Sequence, residues 1–246
     1  MLKAAGRAFD FPFYTGAPVP ISPRGWAILM VSIIAAFVAL VSMPFASFPA
    51  SLIPAILFAS VPLATLAALT GRHWKALFRS VGPHEIGIMV LTAVLAMVAS
   101  AAAAVLVTRF TMPVANPLAA AISAMSAGDY VRRLVPTAPQ LVGEELLTIL
   151  PFLAILWLTT QRLKIARRAA ITIALVGSTA LFATAHLSTY NWQAAQCFGV
   201  IGSARIVLTL SYVWTRNLWV PIGAHMLNDW TEFTFIFGFG HVPIGT

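Results

Sequence analysis

The stretch "VGEELLTILPFLAILWLTT", residues 142–160, sets two adjacent glutamates at the head of an apolar run that no further charge interrupts. Its length suits a helix crossing about 30 Å of hydrocarbon. A carboxylate in such a helix costs several kcal/mol unless it meets a partner or water. Two in succession therefore mark both the fold, a membrane helix, and a place where that fold carries chemistry.

The rest of the chain agrees. Of 246 residues, 60% are hydrophobic and 9% are charged, and the mean hydropathy is +0.90. A soluble domain of this size does not carry so little charge. The fold class is all-α, a polytopic membrane protein forming one integral-membrane domain over residues 1–246. Seven spans are expected, at roughly 26–46, 50–70, 86–108, 140–160, 169–187, 194–214 and 218–239. The first is read as a retained helix, because it is too long for a signal-peptide core. The formal charge of +8 then belongs to loops facing anionic lipid, and nucleic acid is not an expected partner. The single cysteine, Cys197, excludes an intramolecular disulfide and a cysteine-based zinc site.

Between spans three and four lies one long loop, residues 109–140. In it "NPLAAAISAMSAG" reads as a short surface helix capped by Asn116, opened by Pro117 and ended by Gly128. Basic residues orient the whole. With the N-terminus inside, eleven Lys and Arg fall on inner segments (Lys3, Arg7, Arg24, Arg72, Lys75, Arg79, Arg162, Lys164, Arg167, Arg168, Arg216). Three fall on outer ones (Arg109, Arg132, Arg133). The expected topology is N-terminus in, C-terminus out.

Only seven residues are acidic, and four of them, Glu144, Glu145, Asp229 and Glu232, stand in apolar stretches. Three further polar residues join them. "LFATAH" puts His186 near the end of span five, "PIGAHMLNDWTE" puts His225 on span seven, and Arg205 stands in the middle of span six. His225, Asp229 and Glu232 share one helix face by their i, i+4, i+7 spacing; Glu232 itself is placed near the outer interface. Glu144 and His186 lie equally far from the turn joining their helices, hence at one height. His225 lies much nearer its own turn. The heights agree if "TTQRLKIARRAAIT" (159–172), free of Gly and Pro, keeps spans four and five helical past the bilayer. Adjacent residues of a helix point about 100° apart, so one glutamate faces the reacting water and the other a structural partner. Two imidazoles and several carboxylates are an inventory for activating water.

The paired glutamates, Phe182-x-x-x-His186 and His225-x-x-x-Asp229, each on its own span, resemble the motifs of the CPBP (Abi) intramembrane proteases, relatives of the CAAX prenyl endopeptidases and bacteriocin-immunity proteins. The resemblance covers about residues 140–235. It implies an intramembrane endopeptidase of a bacterial cell membrane acting on a membrane-associated peptide or protein. Glu144 and His186 would deprotonate water, and His225 and Asp229 would stabilise the oxyanion, with Glu145 in a structural pair. Phe182 braces His186, and Asn228 is a further donor. A divalent ion such as zinc on His186, His225 and Asp229 is an open alternative. Two positions depart from the family pattern: Ile149 stands where an arginine is usual and Asp229 where asparagine is common. Arg205 is offered as the replacement arginine, pairing with Glu145 or Glu232. Pro151 is expected to bend span four and open a cavity. A proton-coupled transporter using the same acids and histidines, or a non-cleaving pseudo-protease, are the alternative functions.

Overall fold

The computed structural model describes residues 10–45 and 47–240 and is built from helices, with no strand among the described residues. Helix α1 covers Pro23–Ser42, α2 Leu52–Thr70, α3 Pro83–Val107, α4 Pro117–Ser123 and α5 Ala127–Trp157. They are followed by α6 (Arg167–Ala185), α7 (Gly202–Thr215) and α8 (Trp219–Gly240). Seven residues of 3₁₀ helix, Gly71–Leu77, extend α2, and π-helical segments Leu158–Arg162 and Ala195–Ile201 extend α5 and precede α7. Six of these units are long and apolar enough to cross a membrane. The expected seventh span, α8, is a helix of 22 residues, about 33 Å long. Its stripe of His225, Asn228, Asp229 and Glu232 lowers its hydropathy, so by composition the count is six rather than seven.

Helices α1 and α3 turn bare apolar side chains outward, among them Val31, Ile34, Val41, Val94 and Val98. A soluble protein would not leave such rows uncovered; lipid covers them here. The helix of the paired glutamates is the opposite case. Of its most apolar window 61% is buried, against 17% for α3, so α5 is the central post around which α1, α2, α6 and α8 pack. At Gly143 a Cβ would run into the ring of Phe58, so α2 packs tightly against α5 one residue before the glutamates.

Several expectations about this region are corrected. Helix α5 begins at Ala127, where the Ser126 hydroxyl accepts from the Asp129 amide and Asp129 completes an acidic first turn; this is good N-terminal chemistry. Gly128 is thus inside α5 instead of ending the preceding helix, and Glu144 and Glu145 lie mid-helix. Pro136 and Pro139, read as loop residues, sit within the helix, as happens where neighbouring helices cover a disturbed backbone. Helix α4 does begin at Pro117 with Asn116 accepting from the Leu118 amide. Its Ile122, however, is buried with Tyr130 and Phe233, so α4 lies on α8 and α5.

The 159–172 stretch is helical through a π turn to Arg162 and again from Arg167, with Lys164 left-handed (φ 57°) in the short turn between, so both helices run up to the hairpin as expected. The α7–α8 turn is packed inside the bundle. Asn217 and Leu218 are buried; the Leu218 amide donates to the Leu77 carbonyl (2.8 Å) and the Asn217 side chain holds Arg79 and Ser80. Beneath them lies a segment the sequence reading left as a tail. Phe11, Phe13, Tyr14 and Ile21 are buried in the main core, with Phe11 against Phe152 and Tyr212. Arg167 fastens this plug from α6, donating to Asp10 (2.6 Å) and to the Tyr14 hydroxyl (3.1 Å).

Candidate functional site

Helix periodicity decides which glutamate does what. Glu145 points into the bundle and is fully buried, while Glu144 is turned toward a cavity of about 710 Å³. The α5 residues on that wall are Arg133, Thr137, Gln140, Leu141 and Glu144, one face at helical spacing. Helix α8 supplies His225, Asn228, Asp229, Glu232 and Phe233 to the opposite wall, and Phe182, His186 and Tyr190 close a third side. The expected face of α8 is therefore real, and Glu232, though exposed, also lines the cavity. Helix α4 covers the space. Gln196 holds the loop leading into it, its amide oxygen accepting from the Val114 N–H (2.8 Å) and its amide nitrogen donating to the Val114 carbonyl (2.9 Å).

Behind this wall is a sealed charge cluster. The Arg205 guanidinium donates to Glu145 Oε1 at 2.5 Å, with both side chains at most 1% exposed. Of the two carboxylates offered as its partner, Glu145 is the one it meets. Ile149, one turn beyond Glu145, is an apolar core residue; the cation reaches the same carboxylate from α7. A second face of the guanidinium lies over the Phe182 ring at 3.7 Å, a favourable place for a cation in a dry site. Phe182 thus supports two groups, since its ring is also 4.5 Å from that of His186. Glu145 Oε2 and Arg205 Nε are buried without a hydrogen-bond partner, so the cluster depends on the few contacts it makes.

His225 joins this cluster to the cavity. Its Nδ1 lies 2.8 Å from Glu145 Oε1, with an Arg205 nitrogen at 3.3 Å. A carboxylate only accepts, so Nδ1 carries a hydrogen and Nε2 is presented to the cavity. There Asp229 Oδ1 is at 3.6 Å and Glu144 Oε2 at 3.9 Å. The tautomer of His225 is fixed by Glu145, not by Asp229, from the other side of the ring. Asp229 instead accepts from the Asn228 amide at 3.0 Å, and Gln140 donates to Glu144 Oε1 at 3.0 Å. His186, at the C-terminal cap of α6, donates from Nδ1 to the Phe182 carbonyl (2.9 Å). With Nδ1 donating, Nε2 of His186 carries no hydrogen and is left to accept.

Beside these groups Tyr190 sits in the loop after α6. Burial, then the charges of Glu232, Cys197, Asp229 and Glu144, push its pKa up to about 12, so its phenol stays a neutral donor. Gln140, Arg133 and Tyr190 were missed by sequence reasoning. The i, i+4 spacing of Gln140 and Glu144 was the available signal for the first.

The suggested ion-binding set is not gathered into a site. Among the described residues no group of three or more His, Cys, Asp or Glu side chains is arranged to hold a metal. His225 and Asp229 are neighbours, but His186 stands on another wall with one ring nitrogen committed to backbone. Pro151, expected to open the cavity, is buried on α5 and is not in its wall. No family model matches this chain, and no curated protein or solved structure matches it either.

Proposed function

We propose that this membrane protein is an intramembrane endopeptidase of the CPBP type, acting on a membrane-associated peptide in a bacterial cell membrane. The observation that carries the reading is the meeting of Glu144, His186, His225 and Asp229 in one cavity, with His225 fixed from behind by Glu145, which is itself paired with Arg205. Water held between Glu144 and the bare Nε2 of His186 loses its proton to Glu144, and its oxygen adds to the scissile carbonyl carbon. The new oxyanion needs a donor. His225 supplies it as an imidazolium, with one N–H on Glu145 and the other on Nε2, where a proton also lets Glu144 and Asp229 share the space. Collapse of the tetrahedral intermediate breaks the C–N bond, and Glu144 returns its proton to the departing amine. Asp229, steadied by Asn228, offsets the cationic ring.

The test is purified protein in lipid nanodiscs with a library of membrane peptides, followed by mass spectrometry. The wild type should cleave, and Glu144→Gln should lose activity by about 10²–10⁴-fold, the usual contribution of a general base, while melting at the same temperature. Uptake into liposomes without cleavage would instead identify a proton-coupled transporter, for which buried acids and histidines also serve. Neither activity would leave a partner-binding protein.

A further inference from the structure

Arg133 is the one arginine in the cavity wall that stands outside the sealed cluster. Its neighbour Arg132 pairs with Asp129 at 3.3 Å; Arg133 pairs with no acid among the described residues. Its Nε is buried and lacks any acceptor. An arginine is always charged and presents a planar set of donors suited to a carboxylate. Arg133 is half-buried: its buried Nε lacks an acceptor, which is costly, while the group as a whole lines the cavity, where an anion can reach it. The carboxylates of the same cavity do not answer it: Glu144 is bound by Gln140, Asp229 by Asn228, and Glu232 makes no pair with Arg133.

We infer that Arg133 is a specificity-determining residue that binds a carboxylate of the substrate; the inference rests on the peptidase reading above. Arg133 and Glu144 lie on the same face of α5, eleven residues apart, which is about 16 Å along the helix. An extended peptide covers that length in about five residues. The substrate therefore carries an anionic group four to five residues from the bond attacked at Glu144. A free C-terminal carboxylate and an Asp or Glu side chain offer the same chemistry to Arg133.

Binding separates this idea from the question of catalysis. Full-length Glu144→Gln protein in nanodiscs would be titrated with fluorescent membrane peptides of one sequence. One peptide ends in a free carboxylate, one in an amide, and one in an amide with an internal Asp five residues from the centre. An acid-bearing peptide should bind at least about tenfold more tightly than the neutral amide, as expected for a charge-assisted pair. Adding Arg133→Ala should abolish that preference without changing affinity for the neutral peptide, Arg133→Lys should restore part of it, and Arg133→Glu should reverse it toward a peptide with Lys at the same place. Preference for the free terminus or for the internal Asp says which source the site reads, and either supports the assignment. Equal binding of acid and amide, or an acid preference that survives Arg133→Ala, overturns it. Absence of turnover in the wild type, with the charge preference intact, would count against the peptidase reading alone. In a cleaving wild type, Arg133→Ala should raise KM about tenfold for the acid substrate and leave kcat within about threefold.

Discussion

At the scale of single residues, the site separates what is held from what is left reactive. Glu145 and Arg205 neutralise each other in the dry interior, and their value lies in the side chain they orient. Removing one member of a buried pair leaves the other charge uncompensated, at about 3–5 kcal/mol. Arg205→Ala should therefore destabilise the protein by that order, whereas Arg205→Met with Glu145→Gln should recover much of the loss, because no bare charge remains. Chemical or thermal unfolding in detergent reads both; strictly additive losses would mean the two side chains do not interact. Activity should not recover with stability in the double variant, since His225 loses the acceptor that fixes its ring.

The residues of this cluster were legible in the sequence because charge is conspicuous where the surroundings are apolar. Their division of labour was legible only in part. That the two glutamates diverge follows from 100° per residue, but which one meets Arg205 depends on how α5 is rotated against α7. The same limit hid Gln140 and Arg133, which look like loop residues when Pro136 and Pro139 are taken as breaks. The helix starts thirteen residues earlier than expected because capping at Ser126 and cover from neighbouring helices outweigh those prolines.

At the scale of elements, the short pieces matter as much as the spans. Helix α4 and the Gln196 bracket give the cavity its cover, and the segment 10–21 plugs the end where the α7–α8 turn is sunk. The plug hangs on Asp10. Burial opposes ionisation of this carboxyl, but hydrogen bonds from Tyr14, Arg167 and the Phe11 amide outweigh it and hold its pKa below the usual carboxylate value. A depressed acid stabilises the fold at pH above its unfolded value and loses that contribution as pH falls through the folded one. Melting temperature should thus drop on acidification below about pH 4, and Asp10→Asn should lower it at neutral pH while removing that acid-side step. An unchanged profile in Asp10→Asn would show that the plug is held by its aromatic residues alone. None of this was visible in a tail whose apolar residues have no periodicity.

At the scale of the whole molecule, the cavity and the basic turns lie at opposite ends of the helices. The turns at 163–166 and 216–218 are at one end, α4 and the loop after His186 at the other. By the positive-inside rule, eleven basic residues on one side against three on the other predict a cytoplasmic first end; Lys3 and Arg7 contribute to that count and lie outside the described residues, as does His241, to which no role is assigned. The cavity should then open to the outer face. In a Cys197→Ala background, a membrane-impermeant maleimide applied to intact cells should label Ser188→Cys and spare Leu163→Cys. The reverse pattern would turn the mouth toward the cytoplasm.

Glu145 and Arg205 are sixty residues apart in the chain, which imposes an order on biogenesis. As the protein is synthesised, the helix bearing the carboxylate reaches the insertion machinery well before the helix bearing the guanidinium. Until α7 arrives, Glu145 must be carried as a neutral acid or kept in the aqueous part of the translocon. Arrival of Arg205 draws α7 against α5 and turns a poorly inserted helix into a settled one. A chain truncated between residues 190 and 200 should consequently be handled as misassembled by the membrane quality-control proteases, even though five of its spans are already made.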